Sequence, residues 1–194
     1  MIQLNDAKLL MQLAKRAVYT VFSSETINVS DEIKAKFSNK QGVFVTIKLD
    51  GKLRGCIGYP YPEFPLYRAV IQAARGAAFD DPRFPPMRID EMKNSEFELS
   101  ILSVPKLINV KKPEEYINHI QIGKDGLIIK GRMNAGLLLP QVATEYGWDE
   151  TEFLNQVCVK AGMHPNAWHD LTNRVYHFQA QVFKEENGDV VEEI

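Results

Sequence analysis

The sequence predicts an α+β protein built around an antiparallel sheet, and three observations carry that reading. A period-two run, VFVTIKL, meets a second, KLRGCIGY, across Asp50-Gly51, the strongest hairpin signal a short stretch can give. Elsewhere apolar residues recur at a period near 3.6, so helices and strands are interleaved. The legible connections between strands are hairpins, whereas a parallel sheet needs long crossovers.

The elements follow in order. Behind Asn5, a good cap, Leu9, Leu10, Leu13, Ala14, Ala17, Val18, Val21 and Phe22 predict a first helix over 6–23. Ser30 opens a short second helix carrying Ile33 and Phe37. The hairpin comes next. If Leu49 pairs with Lys52, unbroken alternation sets Ile47 opposite Arg54 and Val45 opposite Cys56 on one face, with Phe44, Leu53 and Ile57 on the other. Arg54 and Cys56 are then expected to point the same way.

Pro65 begins a helix whose Ala73, Ala74, Gly76, Ala77 and Ala78 thin one face, so that it can lie close to a sheet. The prolines of DDPRFPPM (80–87) stop it. FELSILSV (97–104) alternates as a strand, and Pro113 opens a short helix. A turn at 124–126 feeds a strand, and Leu137 to Leu139 pass into a helix at Pro140. Asp149 caps a further helix with Phe153, Leu154 and Val157 as its stripe and Gly162 as its stop. RVYHFQAQVFK (174–184) closes as a strand, and the acidic end, EENGDVVEEI, reads as frayed.

The chain has 194 residues, 45% hydrophobic and 25% charged, with a formal net charge of −2, which suits a globular protein and not a disordered one. No linker interrupts it, so 1–194 is expected to be one domain. Its basic residues are scattered, which argues against nucleic acid as a partner. Asp6, Lys8, Lys15 and Arg16 break the N-terminal apolar pattern, and no later stretch has membrane-spanning length. A cytoplasmic protein without a membrane partner is expected. Cys56 and Cys158 are too few and too far apart to be a disulfide framework, and both are expected to be free thiols.

Cys56 is the residue with the most chemistry to offer. A nucleophilic thiol needs a lowered pKa, which a guanidinium on the same side, Arg54, would favour, while Gly55 and Gly58 would let a ligand near the backbone. The same residues also read as a small buried side chain in a tight strand under the Ala-rich helix. His177, on the last strand, is the histidine placed to reach a neighbouring strand, although a hydrogen-bonded surface role is the commoner one. His164 and His169 fit no strong zinc spacing and read as loop or capping residues. In DDPRFPP, Asp81 and Arg83 form either a loop-fixing ion pair or ligand-binding groups on a rigid loop. No cofactor has a readable signature.

The runs LRGCIG, AAFDDPRFPP, ELSILS, KDGLIIK, LLLPQVA and FLNQVCVKAGM, in that order from Leu53 to Met163, resemble the AMMECR domain family over nearly the whole chain. The resemblance implies a compact α+β domain with a smaller lobe, an antiparallel sheet flanked by helices, and a site around LRGCIG, here Leu53, Arg54, Gly55, Cys56, Ile57 and Gly58. It also implies the company of Memo-like and radical SAM proteins, whose genes often neighbour those of the family in prokaryotes, and it implies no particular reaction. Two departures stand out. Tyr59 follows the last glycine where small polar residues are frequent, and Asp80 stands in AFDDP where AFRDP is common.

Two functions follow as expectations. One is a small-ligand or catalytic site with Cys56 and Arg54 reacting and Gly55, Gly58, Asp81 and Arg83 binding. The other is a non-catalytic module for a Memo-like or radical SAM partner, presenting an exposed apolar patch over 59–67 and 84–87.

Overall fold

The computed structural model describes residues 2–193 and confirms the α+β class. The chain divides into two compact units, one made of residues up to Leu102 together with those from Gln181 onward, the other of Ser103–Ala180. No helix among the described residues is long and apolar enough to cross a membrane.

In the first unit, α1 (Leu4–Phe22) and α3 (Leu66–Phe79) pack together, and α3 lies on the hairpin of β1 (Val43–Leu49) and β2 (Lys52–Tyr59). Strand β3 (Ser95–Leu102) pairs antiparallel with the other side of β1. The short helices α2 (Asp31–Lys36) and α4 (Ile89–Met92) complete the helical layer. Val43, Val45 and Ile47 alternate inward with no exposed surface and meet Leu10, Ala14, Ala73, Ala74 and Ala77. Full burial of each larger side chain contributes roughly 1.5–3 kcal/mol.

Helix α1 begins earlier than its sequence suggests. Its N-cap is Gln3, and Asn5 lies within the first turn. Its buried stripe is Ala7, Leu10, Met11, Ala14, Ala17 and Val18, which leaves Leu9 and Val21 at 36% and 43% exposure on the flank. Helix α2 starts as expected, with the Ser30 hydroxyl accepting from the Ile33 N–H at 3.3 Å. Because this helix buries no residue, its cap matters to it: Ser30→Ala is expected to cost about 1 kcal/mol, read from the urea midpoint.

In the second unit, β4 (Lys106–Leu107) and β5 (Asp125–Lys130) each pair antiparallel with the first residues, 174–179, of β7 (Arg174–Glu186), and β6 (Ala135–Leu138) pairs with β5. Leu127, Ile129 and Val175 face Ala143 of α5 (Pro140–Tyr146) and Phe153, Leu154, Val157 and Cys158 of α6 (Glu150–Lys160). Asp149 caps α6, accepting from the Glu152 N–H at 2.8 Å, and Gly162 follows at φ +71°. The segment at Pro113 is a 3-10 helix, Pro113–His119.

The acidic end is not frayed. It forms β8 (Asp189–Glu193), paired antiparallel with the last residues of β7, while Ile194 lies outside the described residues. Asn187 and Gly188 turn the chain at φ +51° and +84°, the same hairpin device as Asp50 and Gly51 at +50° and +72°. That dipeptide was the available signal in the sequence.

Candidate functional site around Cys56

The hairpin keeps the expected turn register, Leu49 with Lys52 and Lys48 with Leu53, and then departs from it. A bulge between Ile47 and Lys48 leaves Arg54 without a cross-strand partner, so Ile47 pairs with Gly55 and Thr46 with Cys56. Arg54 and Cys56 therefore do not share a face as alternation predicts. Cys56 stands with Thr46, whose hydroxyl is 3.3 Å from the sulfur, on the side away from Val45 and Ile47.

Arg54 turns toward the helical layer. It is 8% exposed and grips Glu91 of α4 through Nε at 2.8 Å and Nη2 at 3.2 Å, with Nη2 also donating to the Pro85 carbonyl at 2.9 Å. Its Nη1 is buried without a protein partner among the described residues. Glu91 also accepts from the Arg88 N–H at 2.8 Å. The Arg54 guanidinium, followed by that backbone bond, holds the Glu91 carboxyl below its usual range against the opposing effect of burial.

Strand β2 is the outer strand of the order β2-β1-β3, so its outward backbone groups face no further strand. At Cys56 a side-chain pair takes that place. The Cys56 N–H donates to Asp81 Oδ2 at 2.8 Å, and Arg83 Nη2 donates to the Cys56 carbonyl at 3.3 Å. The pair is locked to itself: Arg83 Nη2 and Nε donate to Asp81 at 2.7 and 3.0 Å, and the Arg83 N–H donates to the same carboxylate at 3.1 Å. Asp81 is buried while the Arg83 side chain is 55% exposed. Arg83 is thus the main reason that the Asp81 carboxyl sits far below the usual carboxylate range, and Asp81 in turn raises the Arg83 pKa. Phe84 lies beneath both guanidiniums, its ring centre 5.8 Å from Arg54 Cζ and 5.6 Å from Arg83 Cζ.

The two glycines are bare for reasons internal to the chain. A Cβ on Gly55 would run into the Ala77 carbonyl of α3, and one on Gly58 would enter the Phe44 ring. Asp80 is exposed, so the cation that serves this loop is Arg83, three residues further on. The expected aromatic patch is not laid open: Met87 is 3% exposed, and Tyr59, Phe64 and Tyr67 pack partly buried against the core. Tyr59 and Phe64 meet edge to face at 5.5 Å.

The other candidates belong to the second unit. His177 Nδ1 is 3.6 Å from the buried Asp125 carboxylate. His164 Nδ1 accepts from the Asn166 N–H at 3.3 Å as a cap, and the His169 ring lies 3.7 Å from that of Trp168. Both cysteines are free thiols, Cys56 half-buried and Cys158 fully buried, where desolvation raises its pKa. Sequence reasoning missed Thr46, which the bulge brings to Cys56, and Glu91, whose role depends on a tertiary contact that no spacing announces.

The chain is similar to proteins of comparable length. A protein of Methanothermobacter thermautotrophicus is 44% identical over 183 residues, covering 94% of this chain and 95% of its own. The protein PF1979 of Pyrococcus furiosus is 46% identical over 183 residues, 91% of this chain and 87% of its own. The crystal structure of the protein PH0010 from Pyrococcus horikoshii superposes with a TM-score of 0.87 at 42% identity, covering 99% of this chain and 98% of that one. The AMMECR1 family model matches residues 11–183, and the chain belongs to that family.

Proposed function

We propose that the chain binds a small molecule at the outer edge of β2, with the Cys56 thiol as the contacting or nucleophilic group and Arg83 as the cation that meets the ligand. One observation supports this best. Asp81 and Arg83 fix the Cys56 backbone by two hydrogen bonds, yet Cys56 as a residue stays only half-buried and more than half of the Arg83 side chain stays in solvent. Arg54 acts here as a positioning residue through Glu91 and Pro85, and Gly55 and Gly58 admit the chain's own atoms rather than a ligand.

Cysteine alkylation tests the reading, because Cys158 supplies an internal reference with no exposed surface. Iodoacetamide is expected to modify Cys56 in the native protein at least about a hundredfold faster than Cys158. Equal, slow labelling of both thiols would remove Cys56 from the site.

A further inference from the structure

Independently of Cys56, the second unit carries an unassigned cationic hollow. A hollow of about 600 Å³ is lined by Lys130, Arg132, Asp170, Asn173, Arg174 and Tyr176. That volume is in the range of small-molecule sites, roughly 300–1,000 Å³. Lys130 ends β5 and pairs directly with Arg174 on β7, a like-charge opposition that destabilises a sheet unless an anion offsets it. Arg132 adds a third cation from the turn that follows Lys130.

The side chains of Arg132 and Arg174 make no ion pair or hydrogen bond with any other described residue. The nearby acid is Asp170, and its carboxylate accepts from the Thr172 N–H at 3.0 Å, an interaction that lowers its pKa and keeps it charged. Two guanidiniums without a partner among the described residues thus share this hollow with a single carboxylate, in a chain whose formal net charge is −2.

The frame that presents these charges is built. The Gly131 N–H donates to the Asn134 carbonyl at 2.8 Å, and Asn134 Nδ2 donates to the Ala161 carbonyl at 3.0 Å. Asn173 Nδ2 donates to the Ala167 carbonyl at 2.8 Å. The Lys130 ammonium lies 5.5 Å over the Tyr176 ring, which restrains it beside the two guanidiniums. Guanidinium forks match the oxygens of a phosphate group, and two of them side by side can hold one bidentately.

We propose that this hollow binds a small molecule through a phosphate or diphosphate group, held by Arg132, Arg174 and Lys130. Three cations around a concavity are fewer than a polynucleotide track engages, commonly six to ten phosphates in roughly that range, which favours a compact ligand.

Titration of the full chain with inorganic pyrophosphate at low salt, followed by amide chemical shifts, reads the site. Saturable shifts are expected at residues 130–132 and 174. Arg132→Ala and Arg174→Ala are each expected to weaken binding about tenfold, while Lys124→Ala, at the opposite end of β5, leaves it unchanged. Both arginines are exposed, so the variants are expected to keep the parent melting temperature. The proposal is overturned by the absence of saturable shifts up to about 10 mM pyrophosphate, by shifts spread over surface lysines, or by unchanged affinity in Arg174→Ala. Tighter binding of a single-stranded oligonucleotide, with a footprint running beyond the hollow, would replace the small molecule with a polyanion and overturn it as well.

Discussion

Asp81→Ala is expected to lower the unfolding free energy by about 3 kcal/mol at neutral pH, the upper end for stranding a buried polar group. The carboxylate is 2% exposed in its side chain and accepts from the Cys56 N–H, the Arg83 N–H and the Arg83 guanidinium. Without it the Cys56 N–H, at the edge of the sheet, loses its acceptor and the proline-bounded loop loses its anchor. The ion pair itself contributes less than its short distance suggests, because Arg83 is 55% exposed and can return to water. Asp81→Asn keeps an acceptor for the strand and is expected to recover about half of the loss. Urea denaturation of the three proteins measures this ordering, and equal midpoints for wild type and Asp81→Ala would refute it.

The same carboxylate sets a pH dependence. Its folded-state pKa lies below that of the unfolded chain, mainly because of Arg83. As pH falls, the unfolded state takes up the proton first. The stabilisation is therefore complete above the ordinary carboxylate range and is lost as pH drops through that range toward the depressed folded value. The stability gap between wild type and Asp81→Ala is expected to narrow between neutral pH and about pH 3. A constant gap over that interval would assign the effect to shape alone.

What the sequence made legible was local. Asp50-Gly51 gave the turn because both residues hold positive φ, and Ser30 and Asp149 gave helix starts because each cap bonds within three residues. The register beyond Leu53 was not legible. The bulge at Arg54 answers to Glu91, Pro85 and the Ala77 carbonyl, all of them distant in sequence, so alternation placed Cys56 opposite Val45 instead of Thr46. Asp81 and Arg83 could be read as a pair from their spacing, but not as the groups that close a strand edge, since that role needs the edge to be known. The family resemblance supplied the segment and left its geometry open. Asn187-Gly188 carries the same hairpin signal, masked by surrounding charges that resemble a solvated tail.

Gly55→Ala is the second substitution with a large expected effect, about 3–4 kcal/mol, above the common range for overpacking. The obstacle is the backbone carbonyl of Ala77, within α3, and a helix backbone cannot rotate out of the way as a side-chain tip can. To admit one methyl group the helix must lift from β2, and Ala73, Ala74 and Ala77 then lose contacts with the sheet together. Gly76→Ala is the informative comparison, because its new Cβ would meet the Ile57 Cγ2 methyl at 2.9 Å, a group that can shift. Its cost is expected to be about 1 kcal/mol. Thermal or urea unfolding separates the two, and similar costs for both would mean that α3 yields as easily as a methyl. The thiol adjoins this contact in sequence, so lifting the helix is expected to move Cys56 as well. A change in its alkylation rate in Gly55→Ala, at a temperature where the variant stays folded, would show that α3 sets the position of the sulfur through a residue with no side chain.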